Sequence, residues 1–162
     1  MNTSWKEHCM PDMRTLKDKR VIVRVDWNVP VTNGVITDTS RFDVSVPFLK
    51  NLSASGAKII LLTHFGEKGE SLSVVASHVT TALPFITFIP SKDFGELETA
   101  SRNLTAGNGM LLENVRLFDG ETENLQTLTE SFASLGNVFI NDAFSVAHRK
   151  HASVVGLGSS KL

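Results

Sequence analysis

A single cysteine, Cys9, stands in the 162 residues. No intramolecular disulfide can therefore form and a cysteine-rich zinc site is excluded, which accords with a reducing compartment. Charge of one sign is missing too. The formal net charge is -1, which leaves no global field to gather nucleic acid or an acidic membrane, so any anion site must be local. No apolar run approaches the roughly 18 residues of a membrane span. The N-terminus carries acids, His8 and Pro11 before any long apolar run, and so does not read as a secretory signal. The expected location is the cytoplasm, with neither nucleic acid nor membrane as a partner. Motifs are lacking as well: there is no G-x-x-x-x-G-K-[ST], no G-x-G-x-x-G after a strand and no G-x-S-x-G, and the five histidines lack H-E-x-x-H spacing. P-loop, dinucleotide, hydrolase-elbow and zinc-protease chemistries each want their essential part.

What is present is an ordinary globular composition, 41% hydrophobic and 20% charged, in a length that suits one domain. Residues 1–13 read as a polar lead-in and 14–162 as the domain. The organising stretch is Val21-Ile22-Val23-Arg24-Val25-Asp26-Trp27-Asn28-Val29-Pro30, an almost wholly apolar run that ends in an acid, an aromatic, an amide and a proline. A buried strand that delivers polar groups to a sheet edge has this pattern. Asn33-Gly34 between β-formers signals a tight hairpin. Thr37 to Ser40 can cap a helix with Phe42, Val46, Leu49 and Leu52 inward, although Pro47 inside it should cost about 3 kcal/mol. Further strands are expected at Lys58–Thr63, Phe85–Ile89, Met110–Leu112 and Val138–Ile140. Helices are expected from Ser71 to about Leu83, in the polar stretch before Ala106, and from Glu121 to Leu135 with Leu125, Leu128, Phe132 and Leu135 inward. Val154 to Gly158 reads as a glycine-punctuated connection. Strand–helix alternation predicts an α/β fold of Rossmann-like, three-layer form, its mostly parallel sheet flanked by helices.

In such sheets ligands sit beyond the carboxyl ends of the strands. Asp26 and Asn28, His64, Arg116, and Asp142 with His148 and Arg149 fall at those ends, and Arg41 at a helix start can reach the same rim. Arginine forks suit phosphate or carboxylate oxygens, and one acid with one amide suits a hydroxyl, so the expected ligand carries at least one phosphate. Each residue alone has a blander reading. Asp26 could terminate a turn, Arg41 and Arg116 could be solvated, and His64 could be bonded to backbone. Their common position at one end of every strand weighs against those readings taken together.

Six ordered blocks carry a resemblance: Val23-Arg24-Val25-Asp26-Trp27-Asn28-Val29-Pro30; Ile36-Thr37-Asp38 with Arg41; Thr63-His64-Phe65-Gly66; Leu112-Glu113-Asn114-Val115-Arg116; Asn141-Asp142-Ala143-Phe144; and Ala147-His148-Arg149 with His151-Ala152-Ser153. In order and spacing, over residues 14–157, they resemble the N-terminal domain of the phosphoglycerate kinase family. The resemblance implies a kinase of glycolysis and gluconeogenesis that passes a phosphoryl group between 1,3-bisphosphoglycerate and ADP. This chain would supply the half that binds 3-phosphoglycerate or 1,3-bisphosphoglycerate. Mg2+ with ADP or ATP belongs to a C-terminal nucleotide domain that is absent from these residues, so a monomer without turnover and without a cofactor of its own is expected. By the same resemblance Asp26 and Asn28 hold the glycerate part, Arg41 also steadies the transferring group as the catalytic residue, and His64, Arg116 and Arg149 grip the 3-phosphate. The family usually continues His-Leu-Gly-Arg-Pro where this chain has His64-Phe65-Gly66-Glu67-Lys68, so an acid replaces a phosphate-binding arginine, and weaker binding is expected unless Lys68 compensates. Trp27 for the usual Phe is a milder change. The alternative is a stand-alone, non-catalytic anion-binding module or pseudoenzyme remnant.

Overall fold

The computed structural model of the chain describes residues 12–67 and 69–160. Most of the expected lead-in, and Lys68, lie outside the described residues. A 3-10 turn at Met13–Leu16, capped by the Asp12 carboxylate, buries Leu16 and leads into the first strand, β1 (Arg20–Arg24). A two-strand antiparallel hairpin follows, β2 (Val31–Thr32) and β3 (Val35–Ile36). Asn33 and Gly34 both have positive φ, 50° and 77°, as its tight turn requires.

The remaining elements alternate. In chain order they are α1 (Ser40–Ala54), β4 (Lys58–Leu62), α2 (Ser73–Ala82), β5 (Ile86–Ile89), α3 (Phe94–Asn103), β6 (Gly109–Leu112), α4 (Gln126–Ser134), β7 (Val138–Asn141) and the single turn α5 (Leu157–Ser159). Five strands form one sheet in the order β5-β6-β4-β1-β7, and every pairing in it is parallel. The expected Rossmann-like α/β architecture is the one found.

Period-two alternation sorts the strand side chains between two cores. Val21, Val23, Ile59, Leu61 and Leu111 meet α1 and α2 on one face, while Ile22, Ile60, Leu62, Met110 and Leu112 meet α3 and α4 on the other. The chain moves outward from β1 through β4 to β5 with helices on the first face. It then returns through β6 to β7 with helices on the second, as crossovers of constant hand require. Loops leaving β4 and β6, which are neighbours, therefore diverge to opposite faces, and so do those leaving β1 and β7. By this topology the carboxyl ends of the strands carry two crevice positions, one between β4 and β6 and one between β1 and β7.

Val46 packs partly buried against the core, as its helical spacing implies, and Ser45 beside it is buried too, its Oγ accepting the Trp27 Nε1–H at 2.8 Å. Three expectations need correction. The helix expected from Glu121 begins at Gln126, since Glu121 is buried and takes the Ser153 N–H and hydroxyl. Leu125 consequently sits ahead of the helix and is exposed. The connection expected from Val154 is helical: Ala152–Gly156 forms a π-turn that continues into α5. Pro47 stands inside α1, as expected; Asp43, whose carbonyl it leaves unbonded, lies with it on the exposed face, where water can satisfy that oxygen.

Candidate functional site

The crevice between the ends of β1 and β7 is lined by Asp26, Arg41, Val44, Ser45, Asp142, Phe144 and Ser145. Trp27 anchors the chain beside Asp26. The indole is wholly buried, tilted against Phe42 with ring centroids 5.0 Å apart, and its backbone N–H donates to Thr63 Oγ1 at 3.0 Å. With Trp27 fixed, Asp26 turns outward. Its Oδ2 accepts from Arg41 Nη1 at 2.8 Å and from the Ser145 hydroxyl. The turn role of Asp26 is present only as a long 3.5 Å contact from the Asn28 N–H. Burial pushes the Asp142 carboxyl above its ordinary range. Phe144, 84% exposed, and Val44 stand at the rim.

The second crevice lies between the ends of β4 and β6, and its parts are stitched together. Asn114 is fully buried; its Oδ1 accepts from the Phe65 and Arg116 N–H groups, and its Nδ2 donates to the Phe65 and Glu70 carbonyls. Glu113 accepts from the Leu72 N–H at 2.7 Å and from the Ser71 hydroxyl, so it satisfies donors at the start of α2. Gly66 has φ of 65°, a conformation L side chains rarely adopt, so this turn is built for glycine. Asn28 joins the two crevices, because its Oδ1 accepts the Gly66 N–H at 2.9 Å. Arg116 Nη1 donates to the Gly66 and Glu67 carbonyls at 2.6 and 3.0 Å. The Glu67 side chain itself is exposed.

His64 is buried at the end of β4, and its pKa is pushed down to about 3, by burial first and then by Arg24, Arg116 and Arg149, with Asp26 opposing. It is a neutral ring at physiological pH. Arg149 is exposed on the turn after β7, and its charge is close enough to act on His64 and to lower His151.

The structure thus brings Asp26 and Arg41 together directly, turns the Asn28 side chain to Gly66 instead, and sets His64 within the field of Arg116 and Arg149. Sequence reasoning passes over Arg24, Ser145, Asn114 and Glu113 as functional parts. Arg24 is 1% exposed on the face of β1 that also carries Ile22. A charged residue at an alternating inward position is the signal that could have found it, since a buried charge requires partners. Ser145 offers no such signal; only the return of the chain after β7 carries it to Asp26.

A family model described as "Phosphoglycerate kinase" matches residues 10–161. Among curated relatives, a "Phosphoglycerate kinase" of Allorhizobium ampelinum is 45% identical over 161 residues, covering 91% of this chain and 40% of that protein. One of Lactobacillus delbrueckii subsp. bulgaricus is 42% identical over 160 residues, covering 90% and 40%. Among solved structures, the phosphoglycerate kinase of Pyrococcus horikoshii OT3 superposes with a TM-score of 0.79 at 27% identity, covering 88% of this chain and 38% of that one. That of Coxiella burnetii gives 0.74 at 33%, covering 85% and 36%. The chain therefore spans about two fifths of the length of the curated relatives it matches.

Proposed function

Because this chain belongs to the phosphoglycerate kinase family, we propose that its strand-end site binds 3-phosphoglycerate or 1,3-bisphosphoglycerate for reversible phosphoryl exchange with ADP. The observation that carries this reading is the division of labour between the crevices. Asp26, joined to Arg41 at 2.8 Å, offers an acceptor for a hydroxyl beside a donor fork for a carboxylate. The neighbouring crevice offers His64 and Arg116 to a phosphate, the exposed Arg149 after β7 adds its charge to the field on His64, and Asn28 ties the two together. Transfer of an acyl phosphate to ADP needs in-line positioning and neutralised charge more than a protein nucleophile. Asp26 and Asn28 orient the glycerate, Arg41 stands where it can neutralise the group in transit, and the other cations anchor the far phosphate.

ADP or ATP with Mg2+ supplies the other half of the chemistry. Among the described residues no three His, Cys, Asp or Glu side chains converge as a metal site, so no residue of this chain is assigned to the metal. Turnover is proposed to need a nucleotide-binding region of the kind that the remaining length of the relatives would supply. Among the described residues no helix is long and apolar enough to cross a membrane, and a cytoplasmic location goes with the reading.

Calorimetric titration of the purified chain with 3-phosphoglycerate tests the proposal. Binding is expected, weakened at least about tenfold in Asp26→Ala, and a wild-type chain that takes up none overturns it. A second reading, a non-catalytic anion-binding module, is favoured by Glu67 together with the Arg116 fork turned onto the Gly66 and Glu67 carbonyls. Under the first reading Glu67→Arg tightens 3-phosphoglycerate binding. Under the second, inorganic phosphate binds the unaltered chain as well as 3-phosphoglycerate does.

A further inference from the structure

Among the described residues the most deeply buried charge, that of Arg24, lies beneath the proposed site rather than in it. Arg24 Nε donates to Ser153 Oγ at 3.1 Å, Nη1 donates to the Val25 carbonyl, and Nη2 lies 3.0 Å from His64 Nδ1. Ser153 is held in turn, its hydroxyl and N–H donating to the two Glu121 oxygens at 2.6 and 3.0 Å. The guanidinium is thus fixed from the π-turn on one side and from β1 on the other. A guanidinium has only N–H donors and no acceptor, so the Nδ1 it faces must carry a lone pair. The ring proton of neutral His64 then resides on Nε2, and among the described residues no group accepts it.

We infer that Arg24 is a positioning residue for the proposed phosphate site, holding His64 as a neutral ring with Nε2–H as a fixed donor to an anionic oxygen. The inference rests on the ligand reading above and deepens it: His64 acts by a directed hydrogen bond, not as a cation. The charged groups around the ring agree with that role. Arg24, Arg116 and Arg149 all oppose its protonation, and Asp26, which favours it, is already shared between Arg41 and Ser145. Arg24 itself keeps its proton at neutral pH, although burial pushes its pKa down to about 10 with Glu121 as the main opposing influence. The contribution of His64 to anion binding is therefore independent of pH across the physiological range.

Nitrogen-15 spectra of the imidazoles in the full chain test this directly, with the His64 signals identified by their loss in His64→Gln. The expected result is protonated Nε2 and unprotonated Nδ1, unchanged from about pH 8 to about pH 5. A proton on Nδ1, or titration near the ordinary value of about 6.5, overturns the inference in the unaltered chain, so the test does not depend on any variant folding. In Arg24→Met, where that variant retains the wild-type circular dichroism, His64 loses the donor that fixes Nδ1 and is expected to show the Nδ1–H form beside Nε2–H, with burial still opposing its protonation. The variant's 3-phosphoglycerate affinity at neutral pH should fall about threefold or more below the wild type's. A variant that keeps the pure Nε2–H form and the wild-type affinity overturns the role. Arg24→Lys, which keeps a donor, should restore the wild-type tautomer. A wild-type chain that shows the Nε2–H form but binds no 3-phosphoglycerate supports the setting of His64 by Arg24 and overturns only the choice of ligand.

Discussion

The two crevices are built differently although both lie at the same edge of one sheet. Between β4 and β6 the polar groups are buried and already partnered: Asn114 uses both ends of its amide, Glu113 satisfies backbone donors, and Arg24 holds His64. Between β1 and β7 the central contact is a partly exposed ion pair, Asp26 with Arg41, with one hydroxyl added from Ser145. Burial makes the first set expensive to disturb, since any lost partner leaves an unsatisfied group away from water. Exposure makes the second set easy to exchange, because water can replace whatever a ligand displaces. Under the proposed ligand reading, the rigid crevice would fix where a phosphate sits, and the exchangeable one would let the rest of the ligand replace the contacts that its side chains make with one another.

Four substitutions or conditions can break or sharpen that contrast. The largest effect is expected from Asn114→Ala, which removes four hydrogen bonds at a site with no solvent access and should cost about 3 kcal/mol in urea denaturation; a loss below about 1 kcal/mol would make the buried crevice no stiffer than the open one. Acid is the next probe. The folded chain holds His64 near pKa 3, whereas the unfolded chain protonates it near the ordinary value of about 6.5. The unfolded state thus binds the extra proton as pH falls, and stability should drop by roughly 2 kcal/mol between about pH 7 and pH 5. His64→Asn should flatten most of that slope, the remainder coming from His151, whose pKa is also lowered. In the open crevice Asp26→Asn should change stability by less than about 1 kcal/mol while weakening 3-phosphoglycerate binding; a stability loss as large as that of Asn114→Ala would erase the distinction. The smallest effect belongs to Ser145→Ala, expected within about 0.5 kcal/mol of wild type in stability. Calorimetry should show it binding 3-phosphoglycerate a few-fold more tightly, since the hydroxyl no longer competes for Asp26 Oδ2.

Much of the architecture was legible because it rests on local rules. Alternating strands and helices imply the parallel sheet, Asn33-Gly34 implies the hairpin, and apolar runs that stop at polar clusters mark the strand ends where Asp26, His64 and Arg116 lie. The errors share a cause. Ser45 has no apolar pattern to place it inward, yet it is buried because Trp27 needs an acceptor for its indole N–H. Glu121 looked like a helix start, but it is drawn into the interior by Ser153, thirty-two residues away. Leu125 was assigned to an inward face before the helix that would have faced it inward existed. In each case a partner distant in sequence outweighed the local pattern.

From the sequence alone came the fold class, the edge of the sheet to which polar side chains are delivered, and the family, because these depend on patterning and on ordered short blocks that survive without knowledge of contacts. Tertiary structure alone decided that Arg24, written inside an apolar run, is a buried support for His64. It also decided that Ser145 reaches Asp26 across 119 residues of chain and that Arg116 turns its fork to the Gly66 and Glu67 carbonyls. The physical reason is that a side chain's protonation and direction are set by the groups within a few ångströms of it, and parallel crossovers bring those groups from separate strands.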